Sequence, residues 1–97
     1  MPALTIKLTA YCACAVCCGQ ADRLTASGTI PVEGLTIAAP RNIPFGTRVT
    51  ITIYGYKTNQ VRIVEDRMSR KRNGWDIFIR SHKRAKEFGV KRARVEW

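Results

Sequence analysis

The sequence is poor in acid. Only seven of its 97 residues are Asp or Glu, against 17 Lys and Arg, a net charge of +10. That imbalance points to an anionic partner: nucleic acid, an anionic membrane surface or a polyanionic wall polymer. Long apolar runs are also missing. None approaches the roughly 18–20 residues of a membrane-spanning helix, so no span is expected. Residues 1–7 (MPALTIK) lack the basic stretch followed by an apolar one that marks a secretory signal. The chain is therefore expected to stay inside, to leave by another route, or to have been trimmed at this end. There is no internal repeat, no low-complexity segment, and no recognition helix or RNA-binding signature. The apolar content of 45% is ordinary for a folded domain and argues against disorder. This length fits one domain, near the lower limit for an unassisted core, expected to act as a monomer.

What is present is unevenly spread. Eleven of the 17 basic residues lie between Arg67 and Arg94. All four cysteines, Cys12, Cys14, Cys17 and Cys18, lie within seven residues in the pattern C-x-C-x2-C-C. Three states fit them. Cys14 and Cys17 have the spacing of a zinc knuckle, but no second cysteine pair follows and the one histidine, His82, would have to contribute. Local disulfides would fit an oxidising compartment. Free thiols would pack as small apolar groups. No cofactor is required by the rest of the sequence; zinc at this cluster is the one metal in view.

Apolar residues alternate with Thr, Lys or Arg over residues 4–11 and 47–54, the period of a half-buried strand. Leu4, Ile6 and Leu8 should share one face, and Val49, Ile51 and Ile53 another. Shorter strands are predicted at 35–39, 60–66, 75–80 and the C-terminus. Residues 81–89 carry the one helix signal, with Ser81 as N-cap, Gly89 just past the end, and Ala85 and Phe88 inward. Six short strands with Gly and Pro corners predict an all-β fold, a small closed barrel with one short helix near the C-terminus, which removes exposed sheet edges.

Asp66 and Asp76 bracket a basic loop, each beside an apolar strand. Two carboxylates facing one cleft are a candidate catalytic acid and its partner. Salt bridges from Asp66 to Arg62, Arg67 or Arg72, and a corner hydrogen bond from Asp76, are the plain alternatives. Glu65 should face away from Asp66, because neighbours in a strand alternate. The hydroxyls of Thr25 and Ser27 could line a polar cleft or simply form a turn. Tyr11, Tyr54, Tyr56, Trp75 and Trp97 are candidate sugar platforms.

Six segments in order carry a resemblance: Thr9-Ala10-Tyr11, Thr25-Ala26-Ser27-Gly28, Ile43-Pro44-Phe45-Gly46-Thr47, Glu65-Asp66-Arg67, Trp75-Asp76-Ile77-Phe78, and Ala85-Lys86-Glu87-Phe88-Gly89-Val90. Together they resemble the 3D domain family, named for three aspartates. It looks like the catalytic barrel of membrane-bound lytic transglycosylase A and of stationary-phase-survival proteins. The small phage and Gram-positive members are the most similar in type. The resemblance implies a six-stranded double-psi β-barrel acting at the bacterial cell wall. Its activity would be cleavage of peptidoglycan between MurNAc and GlcNAc, as a lytic transglycosylase or, with both aspartates, a hydrolytic muramidase. It implies Asp76 as the catalytic aspartate, Asp66 as its support, and Thr25 in the cleft; Ser27, Tyr11 and Trp75 are candidate substrate contacts from the residues themselves. Two departures stand out. The family's first aspartate falls at Ala39, and the usually glycine-rich loop is basic at 67–72. Against these readings stand a nucleic-acid-binding module, drawn from the basic 67–94 region beside Trp75, and a wall-binding barrel without activity.

Overall fold

A computed structural model describes residues 2–12, 24–68 and 74–97. Among these residues six strands and one helix follow in order: β1 (Ala3–Tyr11), β2 (Thr36–Ala39), β3 (Arg48–Ile53), β4 (Asn59–Arg67), β5 (Trp75–Phe78), α1 (His82–Phe88) and β6 (Lys91–Glu96). The strands close into a barrel in the order β1-β5-β2-β4-β3-β6. The β1·β5 and β2·β4 pairs are parallel and the rest antiparallel. Moving every strand three places along the chain returns the same circular order and exchanges the two parallel pairs. The barrel is thus two interleaved three-strand halves, the arrangement of a double-psi barrel.

The alternation read from β3 is realised: Val49, Ile51 and Ile53 are buried, with Arg48, Thr50 and Thr52 between them. They meet Leu8, Ile37, Val64, Trp75, Ile77, Ala93 and Val95 in one core. Burying a side chain of this size is worth about 1.5–3 kcal/mol. Closure leaves no open sheet edge. β1 departs from its expected pattern at one end. Leu8 is fully buried and Ile6 packs against the core, but Leu4 is 50% exposed. Leu4 pairs with Val95 near the C-terminus of β6, at the rim rather than inside.

Helix α1 has the predicted ends. Ser81 Oγ accepts a hydrogen bond from Arg84 N, and Gly89 turns the chain with φ of 67°. Ala85 is buried and Phe88 packs against the core. Among the described residues no helix is long and apolar enough to cross a membrane.

One irregularity decides the site. In β2·β4 the register runs Ile37–Val64 and then Ala38–Asp66, so Glu65 is left over as a β-bulge. Two residues apart in a regular strand, Val64 and Asp66 would share a face. The bulge breaks that rule. Val64 enters the core, while Asp66 emerges on the outer face of the barrel opposite Ala38.

Candidate active site

Asp66 and Asp76 belong to one row across four strands. Thr9 of β1 pairs with Asp76 of β5, Asp76 with Ala38 of β2, and Ala38 with Asp66 of β4. Cross-strand partners project on the same side. The neighbouring residues Ile37, Ile77 and Val64 fill the core, so this row faces outward. At about 4.8 Å per strand, the Cα atoms of the two aspartates lie on the order of 10 Å apart. The small Ala38 side chain leaves the space between them open. Both aspartates are nonetheless only 7% exposed, and the turn at 25–29 covers Asp66.

Each carboxylate is held. Asp66 Oδ1 accepts from Ala26 N and from Arg67 N, both at 2.9 Å. Asp66 Oδ2 accepts from the Tyr11 hydroxyl at 2.9 Å. Three donors from three places in the sequence converge on one side chain. Asp76 Oδ1 accepts from Thr9 Oγ1 at 2.8 Å. A charge-assisted hydrogen bond of this kind is short and about twice as strong as a neutral one.

The roof over Asp66 is the turn at 25–29. Thr25 N donates to Thr29 O, Gly28 N to Thr25 O, and Ser27 N to Glu65 O, which docks the turn on β4 at its bulge. Gly28, at φ of 86°, takes the left-handed conformation that such a turn requires. The hydroxyls of Thr25, Ser27 and Thr29 lie 2.6 to 3.2 Å from one another. Thr25 is buried, whereas Ser27 and Thr29 are exposed. The turn reading of this hydroxyl cluster is realised, and the exposed edge of the turn is polar.

The candidate residues fall into two groups. Asp66, Asp76, Tyr11, Thr25 and Ser27 come together. Trp75 does not. It is 1% exposed and its ring packs at 5.7 Å from Trp97, so it belongs to the core and offers no face to a sugar. Its place follows from alternation, since Trp75 and Ile77 point inward on β5 while Asp76 between them points out. Tyr11 sits edge-on to Phe78 at 5.5 Å, with its hydroxyl spent on Asp66. Tyr54 and Tyr56 are exposed on the turn after β3, where Tyr54 meets Thr5. Ala39, where a third aspartate was expected, lies in the hydrophobic core.

Glu65 also corrects its expectation. The bulge suspends alternation, and Glu65 Oε1 accepts from Thr36 Oγ1 at 2.7 Å. Thr36 shares the outer face with Ala38, two residues on, so Glu65 and Asp66 lie on the same side of the sheet. Thr9, Ala38 and the Ala26 amide were missed by sequence reasoning. Only the parallel pairing of β1 with β5 brings Thr9 to Asp76, and no local signal carries that pairing.

Beside the row, the Arg67 guanidinium lies over the Phe45 ring at 3.9 Å, a cation–π contact. Among the described residues its buried Nη1 meets no hydrogen-bond partner. Among the cysteines only Cys12 is described. It is buried, with Sγ 3.4 Å from His82 Nδ1. Cys14, Cys17 and Cys18 lie outside the described residues, as do Arg70, Lys71 and Arg72 of the basic loop. No group of three or more metal-binding side chains occurs among the described residues. No protein-family model matches the chain, and no curated protein matches it.

Proposed function

We propose that the chain cleaves the glycan strands of peptidoglycan between MurNAc and GlcNAc, as a lytic transglycosylase. The observation that carries this reading is the outward row Thr9–Asp76–Ala38–Asp66, in which two buried carboxylates flank an alanine beneath a hydroxyl-edged turn. Asp66 already accepts three hydrogen bonds from the chain, so its role is to hold Tyr11 and the 25–29 turn in place. Asp76 takes the proton-transfer role. Protonated, it donates to the glycosidic oxygen as the bond to C1 breaks. As a carboxylate, it accepts the proton of the MurNAc 6-hydroxyl as that oxygen bonds to C1. The products are a free GlcNAc hydroxyl end and a 1,6-anhydro ring, with no water consumed. One carboxylate serves both transfers, whereas most hydrolases divide them between two. The Thr9 hydroxyl orients Asp76. The buried Arg67 Nη1 is suited to an anionic substituent of the strand, and the net charge of +10 favours approach to an anionic wall.

Mass analysis of products from purified sacculi tests this. Fragments lighter than hydrolysis products by one water, and lost in Asp76→Asn, are expected. Fragments at the hydrolysis mass would instead mark a muramidase. Chain that sediments with sacculi but releases nothing would mark a wall-binding barrel without activity.

A second reading, a nucleic-acid-binding module, is favoured by one observation. Arg92 and Arg94 stand exposed on the outer face of β6, with Lys7 of β1 paired to Arg92. It requires affinity for DNA or RNA that falls steeply with salt, and a flat titration removes it.

A further inference from the structure

Tyr54 is a candidate sugar platform that the cleft does not use, and the fold sets it on the far side of the barrel. In the closed order β1-β5-β2-β4-β3-β6, β6 lies three places from β2, which carries the middle of the aspartate row. Tyr54 follows the last residue of β3, and its N–H donates to Arg92 O at 3.0 Å. Its hydroxyl lies 3.2 Å from Thr5 Oγ1 on β1, beyond β6. Thr5 pairs with Arg94, the next outward residue after Arg92 along β6. The tyrosine therefore spans β6 with its ring between Arg92 and Arg94, and it remains 53% exposed. Lys7 pairs with Arg92 and extends the positive charge onto β1. Glu96 meets Arg94 at Nε, yet that arginine side chain stays 55% exposed. None of these residues belongs to the aspartate row.

We infer that this face is a second, non-catalytic glycan-binding surface, which holds a neighbouring strand of peptidoglycan while the cleft works on another. The inference rests on the reading of peptidoglycan as the chain's polymer, and it adds an anchor to that reading. One face of a pyranose ring carries mostly C–H groups and packs on an exposed aromatic ring, which leaves the sugar hydroxyls to polar neighbours such as Thr5. An exposed guanidinium pairs a carboxylate through two parallel hydrogen bonds. Arg92 and Arg94 stand about 6.8 Å apart along one strand face, with the ring between them. A sugar seated on Tyr54 thus has a guanidinium on either side for an acidic substituent. Peptidoglycan has this chemistry: a neutral GlcNAc alternates with a MurNAc whose lactyl-peptide substituent is acidic. A single-stranded nucleic acid carries a charge and a base at every unit and asks for successive aromatic platforms. Among the described residues this face presents one such ring. Tyr56, the next exposed tyrosine, lies on the turn with Lys91 Nζ 5.9 Å from its ring centroid. Because β6 and β2 lie on opposite sides of the barrel, one sugar cannot occupy both surfaces. The two take different strands, or distant parts of one.

The test is sedimentation of the full chain with purified sacculi, using Asp76→Asn so that binding is read without cleavage. In that background Tyr54→Ala should weaken binding about fivefold or more, the weight of one aromatic contact. Arg92→Glu with Arg94→Glu should weaken it about tenfold or more. Unfolding midpoints should stay unchanged, since all three side chains are exposed. Soluble glycan fragments bearing stem peptides should displace the chain, and the same fragments stripped of their stems by an amidase should displace it less well. With Asp76 in place, Tyr54→Ala should raise KM for sacculi and leave kcat on short soluble fragments as it was. Unchanged binding in both variants overturns the surface. So does displacement by oligothymidylate at a lower concentration than by the stem-bearing fragments, which would mark a nucleic-acid face. Binding that depends on Tyr54, with no cleavage by the wild type, would remove the enzyme reading and leave the surface standing. Cleavage, with binding indifferent to Tyr54 and both arginines, would do the reverse.

Discussion

On the outer face of β1, β5, β2 and β4 stand three carboxylates, Asp66 and Asp76 buried and Glu65 half-buried, each held by named donors. On the outer face of β1, β6 and β3 stand Lys7, Arg92, Arg94 and Arg48, all exposed, with Glu96 beside them. There the closest charge contact is Arg94 with Glu96 at 3.3 Å, a surface pair of small energetic weight. Both faces belong to the same barrel, and both use the polar positions of alternating strands. They differ in what covers them. A loop folded over a strand face removes water, so every carboxylate beneath it must find donors from the chain, and those donors fix its position. A bare face leaves solvation to water and fixes nothing. Precise geometry therefore accumulates under the roof, and long-range attraction on the open side.

The largest effect expected is chemical and confined to the roofed face. Asp76→Asn should lower glycan release by about 10²-fold or more, with unfolding unchanged. An Arg92→Glu, Arg94→Glu double variant should retain turnover at saturating substrate. Equal losses in the two variants would erase the proposed division of roles.

Next come losses of structure beneath the roof. Asp66→Ala would leave Ala26 N and the Tyr11 hydroxyl without their acceptor, and should cost about 1–3 kcal/mol in urea unfolding. Tyr11→Phe removes one of these bonds and should cost less. If Asp66→Ala were neutral, the carboxylate would not be organising the turn. Gly74→Ala probes the approach to β5. A Cβ there would lie 2.7 Å from the Lys7 carbonyl oxygen, and φ is 130°. A loss of about 1–3 kcal/mol is expected, since the clash is with backbone and the conformation suits only glycine.

The open face should respond to charge and hardly to stability. The Arg92→Glu, Arg94→Glu variant should bind sacculi or another polyanion more weakly and with a shallower salt dependence. Its unfolding free energy should stay within about 0.5 kcal/mol of wild type. A large stability change would mean that this face is not merely solvated.

The smallest effect concerns pH. Glu33 accepts from Arg80 N at 2.9 Å and from the Arg84 guanidinium at 3.2 Å. The Arg80 amide first, and then Arg84, hold its carboxyl below the usual 4.5 despite an opposing effect of burial. A folded pKa below the unfolded one gives a contribution that is present above pH 4.5. It is lost as pH falls through the lower native value. Exchange protection of the Arg80 amide should fall over that window in wild type and not in Glu33→Gln. Identical profiles would remove Glu33 from the account.

Much of the barrel was legible because its signals are local. The Thr-Ile alternation of β3 needs only the two-residue period of a strand, and Ser81 and Gly89 mark the helix by cap chemistry that neighbouring residues determine. The faces of β4 were not legible. Alternation would set Glu65 opposite Asp66 and place Asp66 with Val64, and the bulge reverses both expectations. Trp75 departs from its expected role for a related reason: an aromatic beside a candidate catalytic aspartate is one residue out of phase with it, and so points into the core.

The amino-acid sequence by itself determined the strand and helix segments, the basic excess and the presence of two aspartates ten positions apart. Each follows from composition or from periods of a few residues. The tertiary structure alone decided that Thr9, Asp76, Ala38 and Asp66 form one outward row and that His82 meets Cys12. Both juxtapositions depend on parallel β1·β5 pairing, and the row also on the β2·β4 register shift. Pairings between residues up to 70 positions apart are fixed by closure of the whole barrel around its core, which no short stretch of sequence encodes.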